Sequence, residues 1–130
     1  MFEKYMVCEN GFRNVAERGK ITGFQLQARI AYYRGMFLSN VEDYAVSVDG
    51  EAFPRQAIKF SVRGRTFTLD EMQAETTVRW QFTDVATITV AKPGGLVPGM
   101  HTLEVTQRLR VPYTETRDVA TTKKTMTLVV

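Results

Sequence analysis

The chain has 130 residues, 44% of them hydrophobic and 24% charged, a composition that suits one globular domain with its own core and excludes a disordered or fibrous chain. Lys and Arg number 17 against 14 Asp and Glu, giving a formal charge of +3; they are interspersed, without the basic stripe that nucleic-acid binding calls for. One cysteine excludes an intrachain disulfide and fits a reducing compartment, and no apolar run approaches the ~20 residues needed to span a bilayer.

In chain order, the segment Met1-Phe2-Glu3-Lys4-Tyr5 has no charged-then-apolar leader pattern, so a soluble cytoplasmic protein is expected. A weak alternating run covers Phe12 to Glu17. Phe24, Leu26, Ala28, Ile30 and Tyr32 then share one face, with Gln25, Gln27, Arg29 and Tyr33 opposite. Tyr44, Val46 and Val48 repeat the pattern. Asp49-Gly50 follows, a hairpin signal because a type I′ turn needs positive φ at both central residues. Ile58, Phe60 and Val62 alternate with Lys59, Ser61 and Arg63, and Arg63-Gly64 offers a second turn before Phe67.

Thr68-Leu69-Asp70-Glu71 has the form of a capping box, in which a hydroxyl and a carboxylate satisfy each other's exposed amides; it predicts one short helix to about Ala74. Val78, Trp80 and Phe82 are expected on a core face, as are Ala86, Ile88 and Val90. Pro93-Gly94-Gly95 and Pro98-Gly99 bracket a loop. A long strand then runs from His101, with Leu103, Val105, Leu109 and Val111 inward, stopped by Pro112. The chain closes on Met126, Leu128 and Val130. Half-apolar strands at short intervals predict an all-β fold: one antiparallel two-sheet β-sandwich over residues 1–130, immunoglobulin-like or jelly-roll-like, with one short helix.

Catalytic chemistry is hard to assemble from this inventory. A metal site needs three or four converging ligands, and the chain has one His and one Cys, far apart. Neither catalytic residues nor a metal or cofactor site is expected in this chain. His101 falls on core parity at a strand start, where its ring can pack and bond a loop carbonyl; an acid/base role close to an active site is the alternative. Cys8 reads as a small buried hydrophobe, and Trp80 as core. Ala31 to Leu38 carries Tyr32, Tyr33, Arg34, Met36 and Phe37, the residue types enriched at protein interfaces, although aromatics covering the end of the fold explain it equally. Arg108, Arg110 and Tyr113 form a second candidate surface or, alternatively, a solvated strand face.

Taken in order, several segments resemble the small, or β, subunit of bacterial C-glycoside deglycosidases. They are Tyr32-Tyr33-Arg34-Gly35, Val46-Ser47-Val48-Asp49-Gly50, Phe67-Thr68-Leu69-Asp70-Glu71-Met72, Arg79-Trp80-Gln81-Phe82, residues 94–101, Arg110-Val111-Pro112-Tyr113 and the closing strand from Lys124. The resemblance implies a β-sandwich that binds and supports a larger α subunit, a TIM-barrel protein of the sugar-isomerase type, in a complex open to higher hetero-oligomers. It places the catalytic groups and a divalent metal, manganese, on that partner. It also implies as substrate a C-glycoside, with a flavonoid or similar aglycone, already oxidised to the 3-keto sugar. A ketone at C3 acidifies the proton at C2, so a base can remove it and the aglycone leaves by elimination, a lyase-type reaction with the metal stabilising the enediolate. No residue here matches a catalytic motif of that family. A non-catalytic carbohydrate-binding or structural β-sandwich module is the competing expectation. It is disfavoured by the core parity of Phe24, Tyr44, Phe60, Phe67, Trp80 and Phe82.

Overall fold

The computed structural model describes residues 6–32, 34–111 and 116–128. The elements are β1 (Arg13–Glu17), β2 (Lys20–Ala28), β3 (Met36–Phe37), β4 (Val41–Val48), β5 (Glu51–Ala52), β6 (Ile58–Val62), β7 (Arg65–Thr68), α1 (Leu69–Gln73), β8 (Arg79–Trp80), β9 (Ala86–Ala91), β10 (Gly99–Arg110) and β11 (Arg117–Leu128). They form a five-stranded sheet in the order β1-β2-β9-β6-β7, a four-stranded sheet β11-β10-β4-β5 and a two-stranded pair β3-β8. Every pairing is antiparallel.

Local chemistry accounts for the hairpins. Asp49 and Gly50 both take positive φ between the paired Val48 and Glu51, and Arg63 and Gly64 do the same between Val62 and Arg65. Arg18-Gly19 makes a third turn of this kind between β1 and β2, with Arg before the Gly as in Arg63-Gly64. The helix is capped as its sequence requires: Thr68 Oγ1 accepts from the Glu71 amide at 3.1 Å and Glu71 Oε1 from the Thr68 amide at 2.7 Å. At Gly23 the β2 and β9 backbones approach so closely that a Cβ would lie 2.1 Å from the Val90 carbonyl oxygen.

The inward residues of both larger sheets meet in a buried cluster. Phe24, Leu26, Phe60 and Ile88 come from one sheet, and Tyr44, Val46, Leu103 and Val105 from the other. Tyr44, Phe60 and Trp80 pack as an aromatic trio, with centroids 4.9–6.5 Å apart. Burying each such side chain is worth about 2–3 kcal/mol.

The structure departs from the sequence expectations in several places. Phe82 is 43% exposed rather than core. The chain leaves β8 at Trp80 and turns, with the Asp84 amide donating to the Gln81 carbonyl at 3.0 Å and the Gln81 amide to the Asp84 carboxylate at 3.0 Å, which breaks the alternation. The last strand begins at Arg117, well before the apolar alternation of Met126 and Leu128. Tyr32, Val78 and Val111 are half-buried, and so is Cys8. Val130 and the stop at Pro112 lie outside the described residues.

Candidate partner-binding surface

The segment after β2 is tied down by a residue that ordinary patterning passes over. Gln107 occupies an inward position of β10 among Leu103, Val105 and Leu109 and is fully buried. Its side-chain oxygen accepts from the Ala31 amide at 2.8 Å. Its nitrogen donates to the Tyr44 hydroxyl at 3.1 Å and to the Arg29 carbonyl at 3.5 Å. Burial pushes the Tyr44 phenol well above its ordinary pKa, so it stays a neutral hydrogen-bonding group. Ile30 and Ala31 are buried, and the chain emerges at Tyr32, half-buried, and Arg34, exposed.

Beyond this the backbone runs close against β8. A Cβ on Gly35 would lie 2.7 Å from the Trp80 carbonyl oxygen. Met36 pairs with Trp80 and Phe37 with Arg79. Alternation then divides the two: Met36 is buried in the domain's own core, and Phe37 remains half-exposed. The Arg79 guanidinium lies 4.8 Å from the Phe37 ring centroid and donates to the Gly35 carbonyl at 3.2 Å. Phe82 and Val85, 43% and 40% exposed, follow on the turn after β8. The Arg79–Phe37 stack and the exposed apolar side chains of the following turn are the residue types of protein-interface anchors.

A cavity of about 310 Å³ opens beside them, lined by Arg63, Arg65, Thr77, Val78, Arg79 and Gln81. Arg63 pairs with Asp84 at 3.1 Å and Arg65 with Glu75 at 3.7 Å. Glu75 also accepts from the Thr77 hydroxyl at 2.7 Å and the Thr77 amide at 3.2 Å. These bonds, with a smaller contribution from Arg65, hold its carboxyl below the usual range, so it is ionised at neutral pH. A second cavity, of about 250 Å³, lies against the five-stranded sheet with Glu17 and Lys59 as its charged lining.

Arg110 donates to the Asn40 side chain at 3.5 Å. Arg108 bonds Glu42 at 3.1 Å, and Arg117 bonds the same carboxylate at 2.6 Å. Burial alone would raise the Glu42 pKa; the two guanidinium groups outweigh it and hold the carboxyl low. Tyr33 and Tyr113 lie outside the described residues.

His101 sits elsewhere. At ~3.4 Å per residue, β10 carries it ~30 Å from Arg110. Its Nδ1 meets Asp49 Oδ2 at 2.6 Å and its Nε2 the Val97 carbonyl at 2.6 Å. Asp49 also accepts from the Thr102 amide at 2.8 Å. With an acceptor at each ring nitrogen the imidazolium is favoured, and the pKa is raised, first by Val97 and then by Asp49. The pair clamps the β4–β5 turn to the start of β10, and both ring nitrogens are engaged within the chain.

Of the expected residues, Phe37 stacks with Arg79, Arg110 bonds Asn40, and His101 stands ~30 Å along β10 from Arg110. Sequence reading put Arg63 on a polar strand face and Phe82 in the core, and assigned neither of them, nor Arg65, Arg79 or Val85, to a candidate partner surface. The guanidinium groups come from the β6–β7 hairpin and from the two-residue β8, and the Arg63–Asp84 and Arg65–Glu75 pairs tie that hairpin to the segments on either side of β8. Among the described residues no group of three or more His, Cys, Asp or Glu converges to hold a metal ion, and none of their helices is long and apolar enough to cross a membrane.

Comparison with known proteins agrees with the resemblance drawn from the residues. The C-glycoside deglycosidase beta subunit family matches residues 2–113. A C-glycoside deglycosidase beta subunit of Eubacterium cellulosolvens is 37% identical over 103 residues, 78% of this chain and 70% of that protein. A 3'-dehydrocarminate deglycosidase beta subunit of a Microbacterium species is 32% identical over 93 residues, 71% and 69% of the two chains. A C-glycoside deglycosidase beta subunit of Arthrobacter globiformis is 30% identical over 88 residues, 68% and 67%.

Proposed function

Because the chain belongs to the C-glycoside deglycosidase beta subunit family, we propose that it is the supporting subunit of a heteromeric enzyme that cleaves the C–C glycosidic bond of 3-keto C-glycosides. Its partner is a TIM-barrel α subunit of the sugar-isomerase type, and the base and the divalent metal, manganese, reside there. The described residues of this chain do not assemble the donor set such a metal needs, so no chemical step is assigned to them. The chain folds as one domain whose two larger sheets form the layers of a sandwich. That scaffold presents Phe37, Phe82 and Val85 with their neighbouring arginines to the α subunit. The Microbacterium relative, named for a 3'-dehydro substrate, supports a keto sugar as the requirement here too.

The observation that carries this reading is the exposure of Phe82 and Val85 on the turn that follows β8, the strand whose Arg79 stacks on Phe37 at 4.8 Å. An aromatic and arginine cluster of this kind is costly to leave in water and typical of an interface centre. Co-expression with the α subunit, followed by assay of aglycone release from a 3-keto C-glycoside with manganese, tests it. The pair is expected to co-purify and turn over while neither chain alone does, and Phe82→Ser with Val85→Ser is expected to abolish co-purification. Full activity of the α subunit without this chain would overturn the subunit reading. Unchanged co-purification of the double variant would overturn the placement of the interface.

A further inference from the structure

We propose that the cavity between Arg63, Arg65 and Arg79 is a carboxylate-binding site that seats one Asp or Glu side chain of the α subunit, an inference that rests on the subunit reading above. Three arginines line one space of about 310 Å³, together with Thr77, Val78 and Gln81. Five N–H donors per guanidinium are arranged as a planar fork that matches a carboxylate. The contacts made inside the chain engage only part of that capacity: Arg63 through Nη1 to Asp84, Arg65 through Nη2 to Glu75, and Arg79 through Nη2 to Gly35.

Charge fixes the class of ligand. Three guanidinium groups against the two carboxylate partners Asp84 and Glu75 leave a single positive charge in excess, which one further carboxylate neutralises. Exposure fixes the timing. The side chains of Arg63 and Arg65 are 55% and 58% exposed, so their present ion pairs are screened and weak and can be shared or exchanged. A partner carboxylate would arrive together with the burial of that lining, where the same bonds strengthen. The source is the partner because the site is continuous with the exposed apolar surface: Gln81 lines the cavity, Phe82 follows it, and Asp84 on the same turn holds Arg63.

Arg63→Gln with Arg65→Gln removes two of the three cations and leaves Arg79, Phe37 and Phe82 in place. Affinity is measured between separately purified subunits by titration calorimetry at low and raised salt. The double variant is expected to bind about tenfold more weakly at low salt, with a flatter salt dependence. An Asp→Lys or Glu→Lys change in the α subunit is expected to restore binding to Arg65→Glu. Unchanged affinity and salt dependence in the double variant, with Phe82→Ser still disrupting the complex, would overturn the site and leave the subunit reading intact. No association of the wild-type chains would overturn both. A rise in melting temperature of the isolated chain with sodium benzoate, lost in the double variant, would assign the site to a free small carboxylate and overturn the partner assignment.

Discussion

Replacing Gln107 by Leu keeps the volume and the apolar character of its surroundings but removes an acceptor and a donor from a fully buried position. The Ala31 amide loses its 2.8 Å partner and the Tyr44 hydroxyl its 3.1 Å donor. Each orphaned buried group costs about 1–3 kcal/mol, and the better burial of Leu returns part of that, so the net loss is about 3 kcal/mol. For a domain of this size that is about a 10 °C fall in melting temperature. Tyr44→Phe removes the hydroxyl alone and costs about 1–2 kcal/mol. Because the two side chains share one bond, the double variant is expected to be less destabilised than the sum of the singles, by about 1 kcal/mol. Urea unfolding of the four proteins at a common m-value gives the cycle, and amide exchange at Ala31 reports whether the segment leading to Tyr32 has loosened. A Gln107→Leu protein as stable as the parent, or strict additivity, would refute the assignment of Gln107 as the tether of that segment.

The His101 clamp carries a pH signature. Its folded pKa is raised, so its contribution is complete below about pH 6.5, the unfolded value, and is lost as pH rises through the folded one; melting temperature is expected to fall across that window in the parent and much less in His101→Gln. Asp49, whose pKa is lowered first by the Thr102 amide and then by His101, works in the opposite sense: its contribution is present above the ordinary carboxylate range and is lost on acidification. Gly23→Ala forces a Cβ to 2.1 Å from the Val90 carbonyl, a clash with backbone, and is expected to leave little soluble folded protein in a fractionation of expressing cells. Thr68→Ala removes the hydroxyl half of the capping box and is expected to cost about 1 kcal/mol by urea unfolding.

Features written within a few residues were legible. The turns at Asp49-Gly50 and Arg63-Gly64, the capping box at Thr68 and the inward sets on β2, β4, β6 and β9 all stand as expected. So does the His101 bond to a loop carbonyl. Features set by non-local contacts were not. Phe82 has the parity of Trp80, but the Asp84 turn intervenes. Gln107 is polar at an apolar position, and only its partners on other segments explain it. The first part of β11, rich in Thr and Lys, has little apolar alternation because it lies at a sheet edge, where such residues discourage unwanted pairing. At the candidate surface the aromatic segment was visible in composition, whereas the arginine cavity depends on a hairpin and a turn meeting in space.

The strand order also has a temporal consequence. On one side β2 pairs with β1, already made, but on the other it leans on β9, where Gly23 meets Ala91, and β4 pairs with β10, where Val48 meets Leu103. As the chain leaves the ribosome, β2 and β4 emerge long before the strands that cover them. The β10–β11 hairpin, by contrast, closes on itself from Arg110–Arg117 outward. Long-range pairings of this kind slow folding and keep apolar strands uncovered while it proceeds. Slower synthesis at low temperature is therefore the condition under which the chain should be produced, with its partner already present to receive it.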